Sequence, residues 1–327
     1  MFLPQIDELS PKTKVTQLVE QFRNAILTQE LSKGEKLPSV NELMKSCKLS
    51  RDTVVKIYNE LKAQNLIIAS PQKGYYVSEN NKRLLLVLDT FKAYKEELYA
   101  AIIKSLPNDY EVELVFHHYN VEMLESVLNQ GLPRCSAYAV MSFDHPKVPI
   151  LLSKIPKERL LIIDWNARMP ESAFIGQDFG KALYDNLEQH QKLLKKYEKL
   201  IYLYPDYTYH PAISMEYFAM FCEKFGFEYA IKTEVDVEVK KGEMYLLVSD
   251  RTLALLLNEI QEKSLHIGKD IGILSYNETP LKKYVRNGIS VISTDFKEMG
   301  KQIALWAQNK QYLKLTVPTK ITLRNSL

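Results

Sequence analysis

A chain of 327 residues, 46% hydrophobic and 25% charged, has material for two or three domains and a large buried core. It holds no apolar run near the ~18 residues a spanning helix needs. Its start, MFLPQIDELSPKTK, lacks the basic-then-apolar order of a secretory signal. The three cysteines, Cys47, Cys135 and Cys222, are odd in number and dispersed, which excludes a disulfide framework or a metal-ligand spacing. A reduced, cytoplasmic setting is expected. The charge is unevenly placed. Residues 1–82 carry 12 Lys and Arg against 9 Asp and Glu, and the remainder carries 31 of each, so the whole excess of +3 sits in the first quarter of the chain. An excess of this size permits nucleic-acid binding without establishing it.

Val15, Leu18, Val19, Phe22 and Ile26 form one apolar face of a first helix, with Ser10 before Pro11 as the expected cap. Ser39 and Glu42 have the spacing of a capping box, opening a short helix that buries Val40, Leu43 and Met44. After a turn at Lys48-Leu49, Ser50 caps a third helix with Val54, Ile57, Tyr58 and Leu61 on its inner face. Two helices joined by so short a turn make a helix-turn-helix. The runs Leu66–Ala69 and Tyr75–Val77, around a turn at Ser70–Gly74, predict a hairpin and hence a winged helix-turn-helix. By periodicity alone this unit could equally be a helical cap or dimerisation domain. Arg51, Thr53 and Lys56 favour DNA, because they crowd the start of the third helix, where phosphates and base edges are reachable.

The stretch from Gly34 to Val77, with GEKLPS, NEL, LSRDTV, LKAQNLI and QKGYYV, resembles the winged-helix domain of the GntR family of bacterial regulators. The resemblance implies DNA contacts from Ser39, Arg51, Thr53, Lys73 and Gly74, with Asn41, Ser50 and Lys56 beside them. Asn41 and Val55 stand where the family often has Arg. Asp52 stands where Thr is more usual, and Lys56 lies one position from the usual basic residue. Affinity or site preference should differ accordingly.

The polar stretch 79–83 reads as a linker. Beyond it the chain alternates. Strands are expected at Leu84–Leu88, Glu111–Phe116, Ala137–Met141, Leu160–Ile163, Leu200–Leu203, Tyr229–Lys232, Tyr245–Val248, Ile271–Leu274 and Ile289–Ile292. Helical patterns fill 94–106, 120–130, 179–197, 211–225, 250–263 and 295–309. Apolar strands alternating with helices predict parallel α/β sheets, and a segment of this length suggests two lobes. With only 11 glycines, no GxGxxG, no P-loop and no G-x-S-x-G elbow, the sequence does not read as an enzyme. His117-His118 does not read as a metal pair, since neighbours on a strand face opposite sides.

The stretches IGILSYNETPLKKYVRNGISVISTDFKEMGKQIALW, VSDRTLALLL and FIGQDFGKALYDNL resemble the effector core of the lactose-repressor and periplasmic sugar-binding superfamily. A GntR head on such a core resembles the arabinose-repressor type of regulator, with Bacteroidetes fucose regulators a looser likeness. Ligands of open α/β sheets sit outside the carboxyl ends of the strands. Those ends hold carboxylates, amides and aromatics that suit a sugar: Asp89, Phe91, Asp144, Trp165, Asp178, His210, Asp250 and Asn277. Asp178 and Asn277 are expected on opposing sides of one cleft. The superfamily's sugar-gripping Arg has no counterpart between Tyr202 and Cys222, which leaves His210 or Glu216 in that role or implies a different ligand. Asp164 and Asp250 could instead be caps, and Trp165 core.

The expected whole is an N-terminal winged helix-turn-helix (residues 1–78), a linker (79–83) and a two-lobed, parallel α/β, type I periplasmic-binding-protein-like core (84–327). Its expected partners are a double-stranded DNA operator, a small-molecule effector of monosaccharide class such as fucose or arabinose, and a second copy in a homodimer. No membrane, cofactor or metal is expected. The alternatives are a sensor of a phosphosugar or nucleoside, a carbohydrate enzyme with an accessory DNA-binding domain, and a helical adaptor that binds no DNA.

Overall fold

A computed structural model of the chain describes residues 2–28, 30–64, 66–71, 73–78, 82–131, 135–164, 168–233 and 238–327. The head comprises α1 (Lys14–Leu27), α2 (Val40–Cys47), α3 (Arg51–Ala63), β1 (Ile67–Ser70) and β2 (Gly74–Val77). Leu18, Phe22, Leu43, Val54, Ile57, Tyr58 and Leu61 are fully buried in its core, as the helical periodicities predict. Ser39 and Glu42 form the expected capping box, and Ser50 caps α3. The cap of α1 differs from expectation. Thr13, not Ser10, accepts from the backbone of Thr16. Ser10 closes a tighter turn instead, its hydroxyl accepting from Lys12 N at 3.3 Å, which leaves Pro11 outside the helix.

The chain continues through β3 (Arg83–Leu88), α4 (Ala93–Ser105), β4 (Glu111–Phe116), α5 (Val121–Gly131), β5 (Ala137–Met141) and α6 (Val148–Leu152). Next come β6 (Leu160–Ile163), β7 (Ala173–Gly176), α7 (Lys181–Gln189), α8 (Gln191–Leu194), β8 (Lys199–Leu203) and α9 (Ile213–Phe225). The last part holds β9 (Glu228–Lys232), β10 (Glu243–Leu247), α10 (Asp250–Glu262), β11 (Gly272–Tyr276), β12 (Ser290–Thr294), α11 (Phe296–Asn309), β13 (Lys314–Thr316) and β14 (Thr319–Thr322). The helix expected over 179–197 is two helices. His190, at φ −103°, leaves the helical region, and both its backbone N–H and its ring Nδ1 turn to the carbonyl of Asn186.

Two compact units emerge. The first takes Met1–Phe91, Leu106–Ala173 and Leu305–Leu313; the second takes Lys92–Ser105, Phe174–Ala304 and Lys314–Leu327. In the first, β6, β5, β3 and β4 lie side by side and all parallel. Leu84–Leu88 and Ala137–Met141 are buried throughout, the continuous apolar signature of a sheet covered on both faces. Of the expected linker 79–83, residues 79–81 lie outside the described residues.

The second unit has the sheet order β14-β12-β11-β10-β8-β9. It is parallel except for β14, which runs antiparallel to β12. Successive residues of β8 face opposite layers, as strand geometry requires. Leu200 and Tyr202 pack with Leu183, Leu187, Phe218 and Phe221 of α7 and α9, while Ile201 and Leu203 pack with Leu253, Leu256 and Ile260 of α10. Within the same unit β13 pairs in parallel with β7, and α11 approaches α4 so closely that a Cβ at Gly300 would lie 2.6 Å from the carbonyl of Leu98.

Candidate functional site

The head presents its expected DNA residues on adjoining segments. Arg51 and Lys56 are exposed on α3, Thr53 is half-buried, and Asn41 is exposed on α2. Ser39 Oγ accepts from Glu42 N at 3.2 Å while Glu42 Oε2 accepts from Ser39 N at 2.7 Å. Ser50 Oγ accepts from Thr53 N at 3.2 Å and shares a hydrogen bond with Thr53 Oγ1 at 2.8 Å. Each serine is therefore at once a cap and a surface group at a helix N-terminus, where backbone N–H groups favour phosphate. In the wing, Lys73 is exposed and Gly74 sits at φ +108°, a left-handed value that only glycine adopts without strain.

At the strand ends of the first unit, Asp89 is buried. Its carboxylate accepts from Thr90 N and from the Tyr119 hydroxyl, an inward arrangement that braces the end of β3. Phe91 is 76% exposed and meets Phe116 edge-on at 5.9 Å. Asp144 pairs with Arg168 at 3.3 Å, both well exposed, and such a pair contributes little to stability. Trp165 lies outside the described residues.

The second unit gathers Asp178, His210, Asp250 and Asn277. Asp178 and Asn277 therefore belong to one unit, contrary to the expectation of opposing sides. The reason is that Asp178 follows β7 into α7, whose Leu183 and Leu187 pack on the core of β8, β10 and α9. Asp178 Oδ1 accepts from Gly180 N at 2.9 Å. The residue also lines a groove of about 570 Å³ between α7 and residues 316–321. His210 packs against Tyr276, with ring centroids 4.4 Å apart, and meets Phe179 edge-on at 5.2 Å. The His210 Nε2 and the Tyr276 hydroxyl are both buried without a hydrogen-bond partner among the described residues. Burial holds the His210 imidazole neutral, pulling its pKa down to about 3, with the charge of Lys92 acting the same way. The residue as a whole is partly exposed, but its Nε2 is buried. Burial likewise raises the Tyr276 phenol well above its ordinary value, with Tyr202 and the charge of Asp178 adding to it.

Lys282 organises the neighbouring strand ends. It is 3% exposed, and its ammonium donates to the carbonyls of Tyr276 at 2.8 Å and Asn277 at 2.7 Å. It also pairs with Asp250 at 2.8 Å. One buried cation thus fixes the end of β11, where Asn277 takes φ +62°, against the first residue of α10. Arg251 lies over the Tyr207 ring at 5.6 Å, and the Tyr207 hydroxyl shares hydrogen bonds with Ser249 and Thr252.

Sequence reasoning placed Tyr276 at a strand end but left it out of the ligand set, and it passed over Phe179, Lys282 and Lys92. Tyr276 and Phe179 stood inside quoted stretches, and their aromatic character beside a strand end was the available signal. Nothing in TPLKKY marks the second of its polar residues as buried.

The description "Bacterial regulatory proteins, gntR family" matches residues 14–77, and "Periplasmic binding protein-like domain" matches residues 198–326. The transcriptional repressor YtrA of Bacillus subtilis is 35% identical over 99 residues, 30% of this chain and 75% of that protein. The regulator GalR of Streptococcus thermophilus is 35% identical over 103 residues, 28% of this chain and 31% of that protein. Among solved structures, the trehalose repressor of Escherichia coli superposes with a TM-score of 0.64 at 12% identity, covering 74% of this chain and all (100%) of that one. A LacI family regulator from Arthrobacter sp. FB24, solved with lactose, superposes with a TM-score of 0.61 at 13% identity, covering 75% and 98%. Likenesses at that identity establish the fold. The relatives are transcription regulators rather than enzymes. The chain belongs to the GntR family of bacterial regulatory proteins and joins its DNA-binding head to a core with the fold of LacI-type repressors.

Proposed function

We propose that this regulator controls sugar utilisation from the cytoplasm, as a homodimer whose operator binding responds to a monosaccharide. The observation that carries the ligand reading is a pair of buried polar atoms, His210 Nε2 and Tyr276 Oη, that have no partner among the described residues, at the carboxyl-end rim of the second unit. A buried polar atom without a partner costs about 1–3 kcal/mol, so a ligand hydroxyl that satisfies both is favoured. Phe179 supplies an apolar face, and the Asp178 carboxylate supplies acceptors for further hydroxyls. Structural relatives solved with lactose and with glucose support the class. Fucose and arabinose head the candidates.

Coupling to DNA requires the ligand to bind the operator-competent and incompetent states with different affinity. Calorimetry against a panel of pentoses, hexoses and deoxyhexoses tests the site. Tyr276→Phe should weaken the bound sugar about 2- to 10-fold, and Asp178→Ala about 10- to 100-fold. Unchanged affinity in both variants would remove this rim from the reading. One observation favours a second reading, an acidic ligand such as a phosphosugar. Lys92 is exposed and has no ion-pair partner among the described residues. Its charge acts on His210; desolvation lowers its own pKa, and the charge of Asp250 works against that. In the same titrations, binding of phosphosugars alone would select that reading.

A further inference from the structure

Between β11 and β12 the chain makes a single 3-10 turn, Pro280–Lys283. Of residues 280–284 only Lys282 is buried, while Leu281 and Tyr284 are 73% and 81% exposed. The side chain that anchors this turn inward is therefore a cation. A lysine ammonium has three donors and no acceptor. Here all three donors are used, on the carbonyls of Tyr276 and Asn277 and on the carboxylate of Asp250. Asn277 takes φ +62°, a left-handed value that a non-glycine residue holds at some cost. The two carbonyls that the ammonium binds lie on either side of that rotation, one before it and one after. The backbone at the end of β11 is thus fixed at the point where the Tyr276 side chain leaves it.

Stability alone does not call for this arrangement. Burying an ammonium is costly, and a well-packed apolar side chain in place of a buried ion pair is often neutral or stabilising. Burial lowers the Lys282 pKa, and Asp250 and then Glu278 hold the charged form against it. What lysine supplies and an apolar residue does not is direction. We propose that Lys282 is a positioning residue for the effector, which through the Tyr276 carbonyl aims the Tyr276 phenol into the rim. The proposal rests on the sugar reading of the His210–Tyr276 rim, where that phenol has no partner among the described residues.

The test is calorimetry of the full chain with fucose, arabinose and glucose. Lys282→Met removes the donors and keeps a long side chain. It should weaken the bound sugar about 2- to 10-fold, the loss expected for Tyr276→Phe itself. Because the two residues act as one, the double variant should bind within about 2-fold of Tyr276→Phe alone. A merely structural lysine would add its loss in full to that of Tyr276→Phe. Full additivity would overturn the proposal, as would wild-type affinity in Lys282→Met. Lys282→Gln keeps two donors for the two carbonyls and serves where Lys282→Met does not fold. It should show the same non-additivity with a smaller loss. A second readout needs no sugar. The His210 ring centroid lies 4.4 Å from that of Tyr276, so the His210 ring resonances, identified by their absence in His210→Gln, should shift in Lys282→Met. Unmoved resonances would overturn the proposal. Resonances that shift, in a chain whose wild type binds none of the three sugars, would refute the sugar reading and leave Lys282 in its positioning role.

Discussion

His210 is a neutral imidazole in the folded chain and an ordinary one in the unfolded chain. Its pKa falls from 6.5 to about 3 on folding, chiefly through burial and secondarily through Lys92. Between those values the unfolded chain binds a proton that the folded chain refuses, so this residue makes stability fall as pH drops below 6.5 toward 3. Urea unfolding at a series of pH values should show a shallower acid loss in His210→Gln than in the wild type. Identical pH profiles would mean that the imidazole is not desolvated. Asp250 and Asn277 could be picked out from the sequence because they follow apolar strands closely. Lys282, which joins them, could not. Burying a lysine is costly unless its donors are all satisfied, and only the fold brings the carbonyls of Tyr276 and Asn277 and the carboxylate of Asp250 together.

At the scale of elements, β3, β5, β6, β8, β10, β11 and β12 were readable because parallel strands covered on both faces are continuous apolar runs. The strands that escaped notice lack that mark. β7 is a four-residue segment, AFIG, and β13 and β14 are KLT and TKIT, which pair only because the fold carries them to β7 and β12. Capping was legible where side chains acted locally. The Ser39–Glu42 box followed from spacing, whereas Thr13 displaced Ser10 through a turn that spacing does not show. Ser39 carries two roles that substitution can separate. Ser39→Ala removes the cap and should destabilise by about 0.5–2 kcal/mol, while Ser39→Gly should cost only a few tenths. If Ser39 also touches DNA, both variants should weaken duplex binding alike. Normal DNA binding by a stable Ser39→Gly protein would leave Ser39 as a cap alone.

For the whole molecule, the sequence carried the class more readily than the site. Dense motifs over 34–77 and dispersed landmarks beyond them pointed to a regulator, and both matched known families. The effector residues were diluted among strand-end groups with ordinary structural uses, as Asp89 shows by its bonds to Thr90 and Tyr119. One winged helix reads too short a site for high specificity, and half-sites a turn apart need two copies. Sedimentation of the full chain at micromolar concentration should therefore show a homodimer. A monomer that pairs only on added promoter DNA would place dimerisation on the operator.

In the proposed switch, a small polyhydroxylated ligand held at the His210–Tyr276 rim sets the affinity of the head for DNA. The most direct test is anisotropy of a labelled promoter duplex titrated with the full chain, with and without the sugar that calorimetry identifies. The sugar should shift operator affinity by about 5- to 150-fold, the usual range of coupling between sites. Tyr276→Phe should need more sugar for the same shift, while its affinity for DNA without sugar is unchanged. A sugar that binds the chain tightly and leaves operator affinity untouched would contradict the switch.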